Sequence, residues 1–205
     1  SGDFYWVSQK NGKSVVATAD CTGHGVPGAF MSMIGVTFLN EIVNGKNIID
    51  SDEILAFLRR NIISSLQQTG RDGEARDGLD IGLCVIDREK NIMQFSGANI
   101  SLYVVNERGK FIEVKADKMP ISLHRKSNEP FTRHEITIDN RENYYFFTDG
   151  YADQFGGPRG KKFKSPKLKK LLREIFRFPL EEQKEILDKT FEDWKGTIDQ
   201  VDDIL

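Results

Sequence analysis

The sequence predicts an α+β fold in which helices pack on two antiparallel sheets. The elements indicated by hydrophobic spacing run as two strands, two helices, several strands, two helices and a last strand. Strands and helices do not alternate strictly, which argues against a doubly wound parallel sheet. Turn signals separate the short strands, and Asn11-Gly12 between the first two indicates an antiparallel hairpin.

The first half of the chain predicts a hairpin followed by two helices. Strands are expected over residues 4–8 and 14–19, on either side of Asn11-Gly12. Apolar residues at near-helical spacing predict a helix over 29–43, after a glycine-rich turn. Ser51 is expected to cap a second helix, whose apolar stripe runs from Ile54 to Leu66.

The second half predicts short strands, two amphipathic helices and a terminal strand. A polar loop is expected over 67–77 and a hairpin turn over 107–110. The predicted strands are 79–87, 92–96, 101–106, 111–114, 134–138, 144–148 and 200–205, and the predicted helices are 165–176 and 180–194.

The composition is ordinary for a globular domain. The 205 residues are 39% hydrophobic and 29% charged with a net charge of −2, so we expect one domain over residues 1–205 and no nucleic-acid partner. No membrane-spanning run or signal peptide is expected. We expect a cytoplasmic domain without membrane contact, cut from a longer chain and on the cytoplasmic side if that chain is membrane-anchored. Cys21 and Cys84 fit neither a disulfide framework nor a zinc motif, so reduced thiols are expected.

Acidic residues recur where the predicted strands begin or end. Asp3 precedes the first strand, Asp20 and Asp149 follow strands, and Asp202 and Asp203 open the last one. Carboxylates without histidine or cysteine favour magnesium or manganese, and several brought together would repel one another without a cation. Two such ions could activate a water for attack at phosphorus. Each aspartate taken alone could equally be a cap or a turn former, and the residues do not themselves show convergence.

Seven motifs, in chain order, resemble one known family. They are Ser1-Gly2-Asp3-Phe4-Tyr5-Trp6, Ala19-Asp20-Cys21-Thr22-Gly23-His24-Gly25-Val26-Pro27-Gly28, Asp77-Gly78-Leu79-Asp80-Ile81, Ser96-Gly97-Ala98-Asn99, Lys118-Met119-Pro120-Ile121, Phe147-Thr148-Asp149-Gly150 and Asp202-Asp203-Ile204. The chain is similar to the metal-dependent type 2C (PPM) serine/threonine phosphatases, in the bacterial stage II sporulation E (SpoIIE) branch that includes regulators of sigma-factor partner switching. The resemblance implies an αββα sandwich with two Mn²⁺ or Mg²⁺ ions at one end of its sheets.

The resemblance also implies roles for individual residues. Asp20 would bridge both ions, and the backbone carbonyl of Cys21 would be a further ligand, so the Cys21 thiol is not expected to be a nucleophile. Asp149 and Asp202 match the later ligands of the family. Asp3 matches an early acidic position that is a water-mediated or outer ligand.

Three further residues have weaker matches to the family. Asp203, beside Asp202, is the second choice for the last ligand. Asp153 lies where some relatives place a carboxylate for a third metal, although Ala98 and Asn99 fill the region of another such carboxylate. His24 could be a general acid for the leaving group or could stabilise the glycine turn.

The resemblance implies a protein phosphatase that hydrolyses phosphoserine or phosphothreonine by attack of a metal-activated water. The implied partners are a phosphorylated regulatory protein, such as an anti-sigma antagonist, and an upstream sensor domain; a homodimer is left open. The alternative is a pseudophosphatase that binds a phosphorylated partner without turnover.

A run of basic residues follows Asp149 in the sequence. It comprises Arg159, Lys161, Lys162, Lys164, Lys167, Lys169 and Lys170. The run could steer an acidic phosphoprotein toward the site, or it could be a solvated loop and helix face, and both interpretations stay open.

Overall fold

The structure, a computed structural model, describes residues 2–23, 25–71 and 77–205. The chain divides into two compact units. Unit 1 comprises Ser1–Leu102 and Val114–Asp139, and unit 2 comprises Tyr103–Glu113 and Asn140–Leu205. Each unit contains a sheet and helices of its own.

The secondary structure follows the predicted order with several changes in bounds. The strands are β1 (Phe4–Lys10), β2 (Lys13–Cys21), β3 (Leu79–Asp87), β4 (Ile92–Ala98), β5 (Leu102–Val105), β6 (Phe111–Val114), β7 (His134–Thr137), β8 (Asn143–Tyr145), β9 (Phe155–Gly156) and β10 (Lys161–Lys162). The helices are α1 (Val26–Leu39), which continues into a π-helical segment over Asn40–Gly45, α2 (Ser51–Ser65), α3 (Gly150–Asp153), α4 (Ser165–Ile175) and α5 (Leu180–Lys195).

Unit 1 is built on a five-stranded antiparallel sheet in the order β1-β2-β3-β4-β7. Its first hairpin closes at Asn11 and Gly12, whose φ values of 51° and 73° are the left-handed values that a two-residue turn requires. β2 pairs with β3 along its whole length, from Lys13 opposite Asp87 to Cys21 opposite Leu79. This long ladder therefore fixes the backbone at the end of β2.

Helices α1 and α2 supply the helical side of the unit 1 core. α2 buries one apolar stripe, as the spacing predicts. Its members are Ile54, Leu55, Leu58 and Ile62, and they pack in one cluster with Leu83 and Val85 of β3. The expected capping role of Ser51 is wrong. Asp50 precedes the helix, and the buried hydroxyl of Ser51 lies 2.8 Å from that of Ser96 in a hydrogen bond.

Unit 2 has a smaller sheet with strand order β6-β5-β8 and two amphipathic helices. Its core is rich in aromatic side chains. The buried members are Tyr151, Phe163, Leu168, Leu172, Ile175 and Phe191. A two-stranded hairpin, β9–β10, joins α3 to α4, and neither α3 nor this hairpin was predicted from the sequence.

The prediction of an α+β fold with antiparallel sheets and helices is confirmed. Strands over 79–87 and 111–114 are confirmed at both ends. The predicted strand over 200–205 is wrong, because that segment is irregular. Its Val201 N–H donates to the Gln154 side-chain oxygen rather than to a neighbouring strand, and its Leu205 carbonyl accepts from the Thr148 N–H. The strand predicted over 144–148 ends at Tyr145, so Asp149 follows an irregular stretch rather than a strand.

The expectation that no apolar run is long enough to span a membrane is corrected by the helix that begins at Val26. The segment Val26–Gly45 is long and apolar enough to cross a membrane by length and composition, with a mean hydropathy of 1.4. A core helix passes the same test, and here Met31, Leu39 and Ile42 lie in the unit 1 core.

Cys21 and Cys84 are both buried, and neither forms a disulfide bond.

Candidate metal centre

The residues predicted to hold metal fall into two groups, one in each unit. Asp3, Asp20 and Cys21 belong to unit 1. Asp149, Asp153, Asp202 and Asp203 belong to unit 2. His24 lies outside the described residues.

The unit 1 group gathers around the end of β2. Cys21 is the last residue of the strand and is 5% exposed. Burial raises the pKa of its thiol to about 12, a hydrogen bond from the Ser32 hydroxyl opposes the rise, and the charges of Asp20 and Asp3 add to it. Both carboxylates are therefore close enough to act on the same sulfur. A thiol that stays protonated at neutral pH is a poor nucleophile.

The turn after Cys21 is fixed by a reciprocal set of hydrogen bonds to Gly78. The backbone N–H of Thr22 donates to the Gly78 carbonyl at 3.0 Å, and the Gly78 N–H donates to the Thr22 hydroxyl oxygen at 2.8 Å. The Thr22 hydroxyl also donates to the Gly78 carbonyl at 3.1 Å. The chain thus leaves the sheet in a defined direction just past Asp20, before α1 begins at Val26.

Asp80 is an acidic residue that the sequence analysis did not assign to the site. It lies directly opposite Asp20 in the β2–β3 ladder, and directly opposed residues share one face of a sheet. Like charges in such a pair destabilise a sheet unless a cation or hydrogen-bond donors compensate them. The Asn99 amide donates to Asp80 at 2.8 Å. Asp80 belongs to the Asp77-Gly78-Leu79-Asp80-Ile81 motif, so the sequence did mark this position. Its place opposite Asp20 depends on the pairing of two strands that are far apart in the sequence, which the motif does not reveal.

The unit 2 group centres on Asp149, which directly precedes the short helix α3. The residue is exposed overall, yet its carboxyl is partly withdrawn from water, and this raises its pKa. The charges of Asp153 and Asp202 raise that pKa further, while Lys162 opposes them. Asp153 and Asp202 thus each lie within electrostatic reach of Asp149, and a bound cation would stabilise the Asp149 carboxylate.

A close backbone approach brings the terminal aspartates to Asp149. A Cβ atom at Gly150 would lie 1.9 Å from the carbonyl oxygen of Asp203, so only glycine fits there. The Thr148 N–H donates to the Leu205 carbonyl at 3.0 Å, and the Leu205 N–H donates to the Thr148 hydroxyl oxygen at 3.2 Å. These contacts hold the segment that carries Asp203 against the turn after Asp149.

Asp153, the candidate ligand of a third metal, has a cation beside it in the chain itself. The Lys162 ammonium lies 2.6 Å from the Asp153 carboxylate, and each side chain is 43% exposed. The pair joins α3 to strand β10 of the hairpin. A third metal bound by Asp153 would have to displace this ammonium.

Comparison with known proteins assigns the family. Residues 10–205 match the family described as Stage II sporulation protein E (SpoIIE). The chain belongs to the SpoIIE family. No curated protein sequence matches it.

Solved structures share the fold of this SpoIIE-family chain. The SiaA-PP2C domain of Pseudomonas aeruginosa is 30% identical with a TM-score of 0.87, and the match covers 99% of this chain and 78% of that one. The PP2C phosphatase domain with a regulatory-domain fragment of SpoIIE from Bacillus subtilis is 17% identical with a TM-score of 0.73, covering 100% and 56%. RsbX, solved in complex with magnesium, is 13% identical with a TM-score of 0.63, covering 99% and 83%.

The donor chemistry of the SpoIIE-family chain fits a hard divalent cation. The predicted side-chain ligands are all carboxylates, which suit Mg²⁺ or Mn²⁺, and in unit 2 the charges of Asp153 and Asp202 raise the pKa of Asp149. Across residues 2–23, 25–71 and 77–205, no group of three or more His, Cys, Asp or Glu residues already has the arrangement of a metal site. The two groups therefore supply suitable ligands without a complete ligand cage in this structure.

Proposed function

We propose that this SpoIIE-family chain is a metal-dependent protein phosphatase that hydrolyses phosphoserine or phosphothreonine, and that its two units act together as one domain. The observation that carries the proposal is that the acidic residues matching the family are present and locally gathered. Asp3 and Asp20 both act on the Cys21 thiol, and Asp153 and Asp202 both act on Asp149. Such groupings of like charge are costly unless they serve a cation.

The proposed ligands of two Mn²⁺ or Mg²⁺ ions are Asp20, the Cys21 backbone carbonyl, Asp149 and Asp202, with Asp3 and Asp203 as outer or alternative ligands. When bound, such ions lower the pKa of water and neutralise charge on phosphate. RsbX, with the same fold, was solved with magnesium, which supports this class of cation.

The protein residues hold the proposed metal ligands in place and form no covalent bond with the substrate. The β2–β3 ladder and the Thr22–Gly78 bonds fix Asp20, and the approach of Asp203 to Gly150 fixes the terminal segment beside Asp149. The protonated Cys21 thiol takes no part as a nucleophile, so no phosphoenzyme is expected on it. Groups held in place before the substrate binds pay no reorganisation cost during the reaction.

The proposed substrate is a phosphorylated regulatory protein, with an anti-sigma antagonist as one example. The SpoIIE structure that shares this fold includes a fragment of a regulatory domain, which supports control of this chain by an upstream sensor domain. We place the domain in the cytoplasm, with a homodimer left open.

A second candidate is a pseudophosphatase that binds a phosphorylated partner without hydrolysing it. One observation favours it: the described residues contain no complete arrangement of three metal-binding side chains. The two functions differ in turnover, which a direct assay measures.

The test is hydrolysis of p-nitrophenyl phosphate with and without Mn²⁺. We expect Mn²⁺-dependent turnover that falls at least about 100-fold in Asp20→Asn, comparable to removing a group that stabilises transition-state charge. Glu89→Gln, the same chemical change in the exposed β3–β4 turn, is the control and should retain full activity. Metal-independent turnover or an unaffected Asp20→Asn variant would overturn the proposal. Absence of turnover with retained binding of a phosphoserine peptide would establish the pseudophosphatase.

A further inference from the structure

The basic run after Gly157 is divided by the structure into compensated and uncompensated charges. Three of its lysines have carboxylate partners: Lys162 with Asp153 at 2.6 Å, Lys169 with Glu113 at 3.4 Å and Lys170 with Glu174 at 3.5 Å. Lys167 lies over the Trp194 ring, at 3.7 Å from its centroid. Arg159, Lys161 and Lys164 are exposed and form no ion pair with the part of the chain that the structure describes.

Two of the uncompensated cations lie on the β9–β10 hairpin, residues 155–162, which we call the basic hairpin. β9 pairs with β10 through Gly156 opposite Lys161 and Phe155 opposite Lys162. Lys162 turns toward Asp153, so its strand neighbour Lys161 points to the opposite face. Arg159 lies in the connecting turn. The tip and the outer face of the basic hairpin therefore carry positive charge into solvent.

The basic hairpin is clamped to helix α5 and is not a loose loop. The Gly157 N–H donates to the Trp194 carbonyl at 2.7 Å, and the Trp194 indole N–H donates to the Gln154 carbonyl at 3.2 Å. A Cβ atom at Gly156 would lie 1.9 Å from the Trp194 carbonyl oxygen, so the strand packs closer to α5 than any other residue type permits. A surface held in this way loses little conformational entropy when a partner binds it.

The basic hairpin also lies beside the proposed phosphatase site of unit 2. Its Lys162 binds Asp153, and the Lys162 charge reaches Asp149. Arg159 is three residues from Lys162, so their Cα atoms are within about 11 Å of each other. The Debye length is about 8 Å at physiological salt and about 30 Å at 0.01 M, so the attraction of the tip for a molecule bound near Lys162 should be strongest at low salt.

We propose that the basic hairpin is the docking surface for an acidic phosphoprotein, with Arg159 at its tip and Lys161 on the face away from Asp153 binding carboxylates in the segments that flank the phosphorylated residue. This deepens the proposed function, because it assigns a substrate class to the same site. A phosphorylated side chain that reaches Asp149 carries its neighbouring residues past the hairpin. Uncompensated cations there favour acidic neighbours and disfavour basic ones, which gives selectivity and faster association.

The experiment measures binding, so it does not depend on turnover. Fluorescence anisotropy compares a labelled phosphoserine peptide flanked by glutamates with the same peptide flanked by glutamines. The test variant is Arg159→Gln with Lys161→Gln, and the control is Lys170→Gln with Lys189→Gln, which removes equal charge from helices α4 and α5. Wild type and control should bind the glutamate peptide about 10-fold more tightly than the glutamine peptide at low salt, and the test variant should lose most of that preference.

Several results would overturn the proposal. One is an unchanged preference in the test variant, and another is an equal loss in the control, which would indicate a general effect of net charge. A single-stranded oligonucleotide that displaces the glutamate peptide from the wild type, but not from the test variant, would assign the hairpin to nucleic acid instead. If p-nitrophenyl phosphate is not hydrolysed but the peptide preference depends on Arg159 and Lys161, the proposed function fails while the docking surface stands.

Discussion

The two units hold their acidic groups by different physical means. In unit 1, Asp20 and Asp80 face each other near the end of a nine-residue ladder between two central strands. In unit 2, Asp149 and Asp203 lie on irregular segments joined by one close backbone approach and two hydrogen bonds. Many cooperating backbone bonds support the first arrangement, and a few local contacts support the second.

This difference indicates where the proposed site is vulnerable. A ladder distributes the cost of one altered side chain over several hydrogen-bonded pairs. The turn at Gly150 has no comparable support, because any residue with a Cβ atom there would push the Asp203 backbone away. In unit 2 a single small substitution at Gly150 should therefore separate Asp203 from Asp149.

The largest effect is expected for Gly150→Ala in unit 2. The added methyl would lie 1.9 Å from the Asp203 carbonyl oxygen, so the terminal segment must move away from Asp149. A displacement of about 1 Å can cost roughly 100-fold in rate, so Mn²⁺-dependent phosphatase activity should fall at least that far. The measurement is turnover of p-nitrophenyl phosphate, with hydrogen exchange at the amides of Thr148 and Leu205 as the structural readout.

Gly45→Ala serves as the control, because its added Cβ would meet nothing closer than 3.9 Å. Its activity and exchange should match the wild type. Full activity in Gly150→Ala would show that the Asp203 segment does not position a ligand, and the contrast between the units would then be lost.

A second, smaller effect is expected on stability, where matched leucine-to-alanine substitutions compare the packing of the two units. Leu83 of β3 is fully buried in the unit 1 core, whereas Leu172 of α4 borders a cavity of about 640 Å³ within unit 2. Leucine-to-alanine changes cost about 2–5 kcal/mol, with the higher values where the surroundings cannot relax. We expect Leu83→Ala near the upper end of that range and Leu172→Ala near the lower end.

Hydrogen exchange of the slowest amides in each unit reports the free energy of opening. The comparison requires exchange from β3 amides for Leu83→Ala and from α4 and α5 amides for Leu172→Ala. Equal losses, or a larger loss in Leu172→Ala, would contradict the view that unit 1 is the more tightly packed.

The same contrast explains what the sequence could and could not predict. β3 was predicted at both ends, because a run of β-branched and apolar residues bounded by turn residues is a local signal. The hairpin β9–β10 was missed, because its strands have two residues each and are held by Trp194, about 37 residues further along the chain. The strand predicted over 200–205 failed because a strand exists only where a partner backbone pairs with it.

The residues of the candidate site likewise divide into those that the sequence could indicate and those that only the structure reveals. Asp20 and Asp149 could be singled out from their positions near turns, but their roles came from the resemblance to a family. Asp80 was overlooked as a site residue, because only the pairing register places it opposite Asp20. The neutralisation of Asp153 by Lys162 could not be predicted either, since the contact depends on the unpredicted hairpin.

The smallest effect concerns Tyr145, which anchors the unit 2 sheet to α5. Its hydroxyl donates to the Gln183 side chain at 2.7 Å. Burial raises the pKa of Tyr145 to about 12, and the Gln183 hydrogen bond only partly offsets the rise. In the unfolded chain the pKa is about 10, so between pH 10 and 12 the unfolded chain loses this proton before the folded one does. The stability of unit 2 should therefore fall as pH rises through that window.

Tyr145→Phe removes this ionisation and the hydrogen bond together. At neutral pH it should cost about 1–3 kcal/mol, because the buried side-chain oxygen of Gln183 loses this donor, while its amide nitrogen keeps the bonds to the Phe176 and Phe178 carbonyls. Between pH 10 and 12 its urea midpoint should decline less steeply than that of the wild type, since the folded state no longer has to keep a phenol protonated there. Tyr5→Phe, at a side chain that is 71% exposed in unit 1, should decline as the wild type does. If Tyr145→Phe followed the wild-type curve instead, the alkaline sensitivity would belong to other groups, and Tyr145 would not distinguish unit 2 from unit 1.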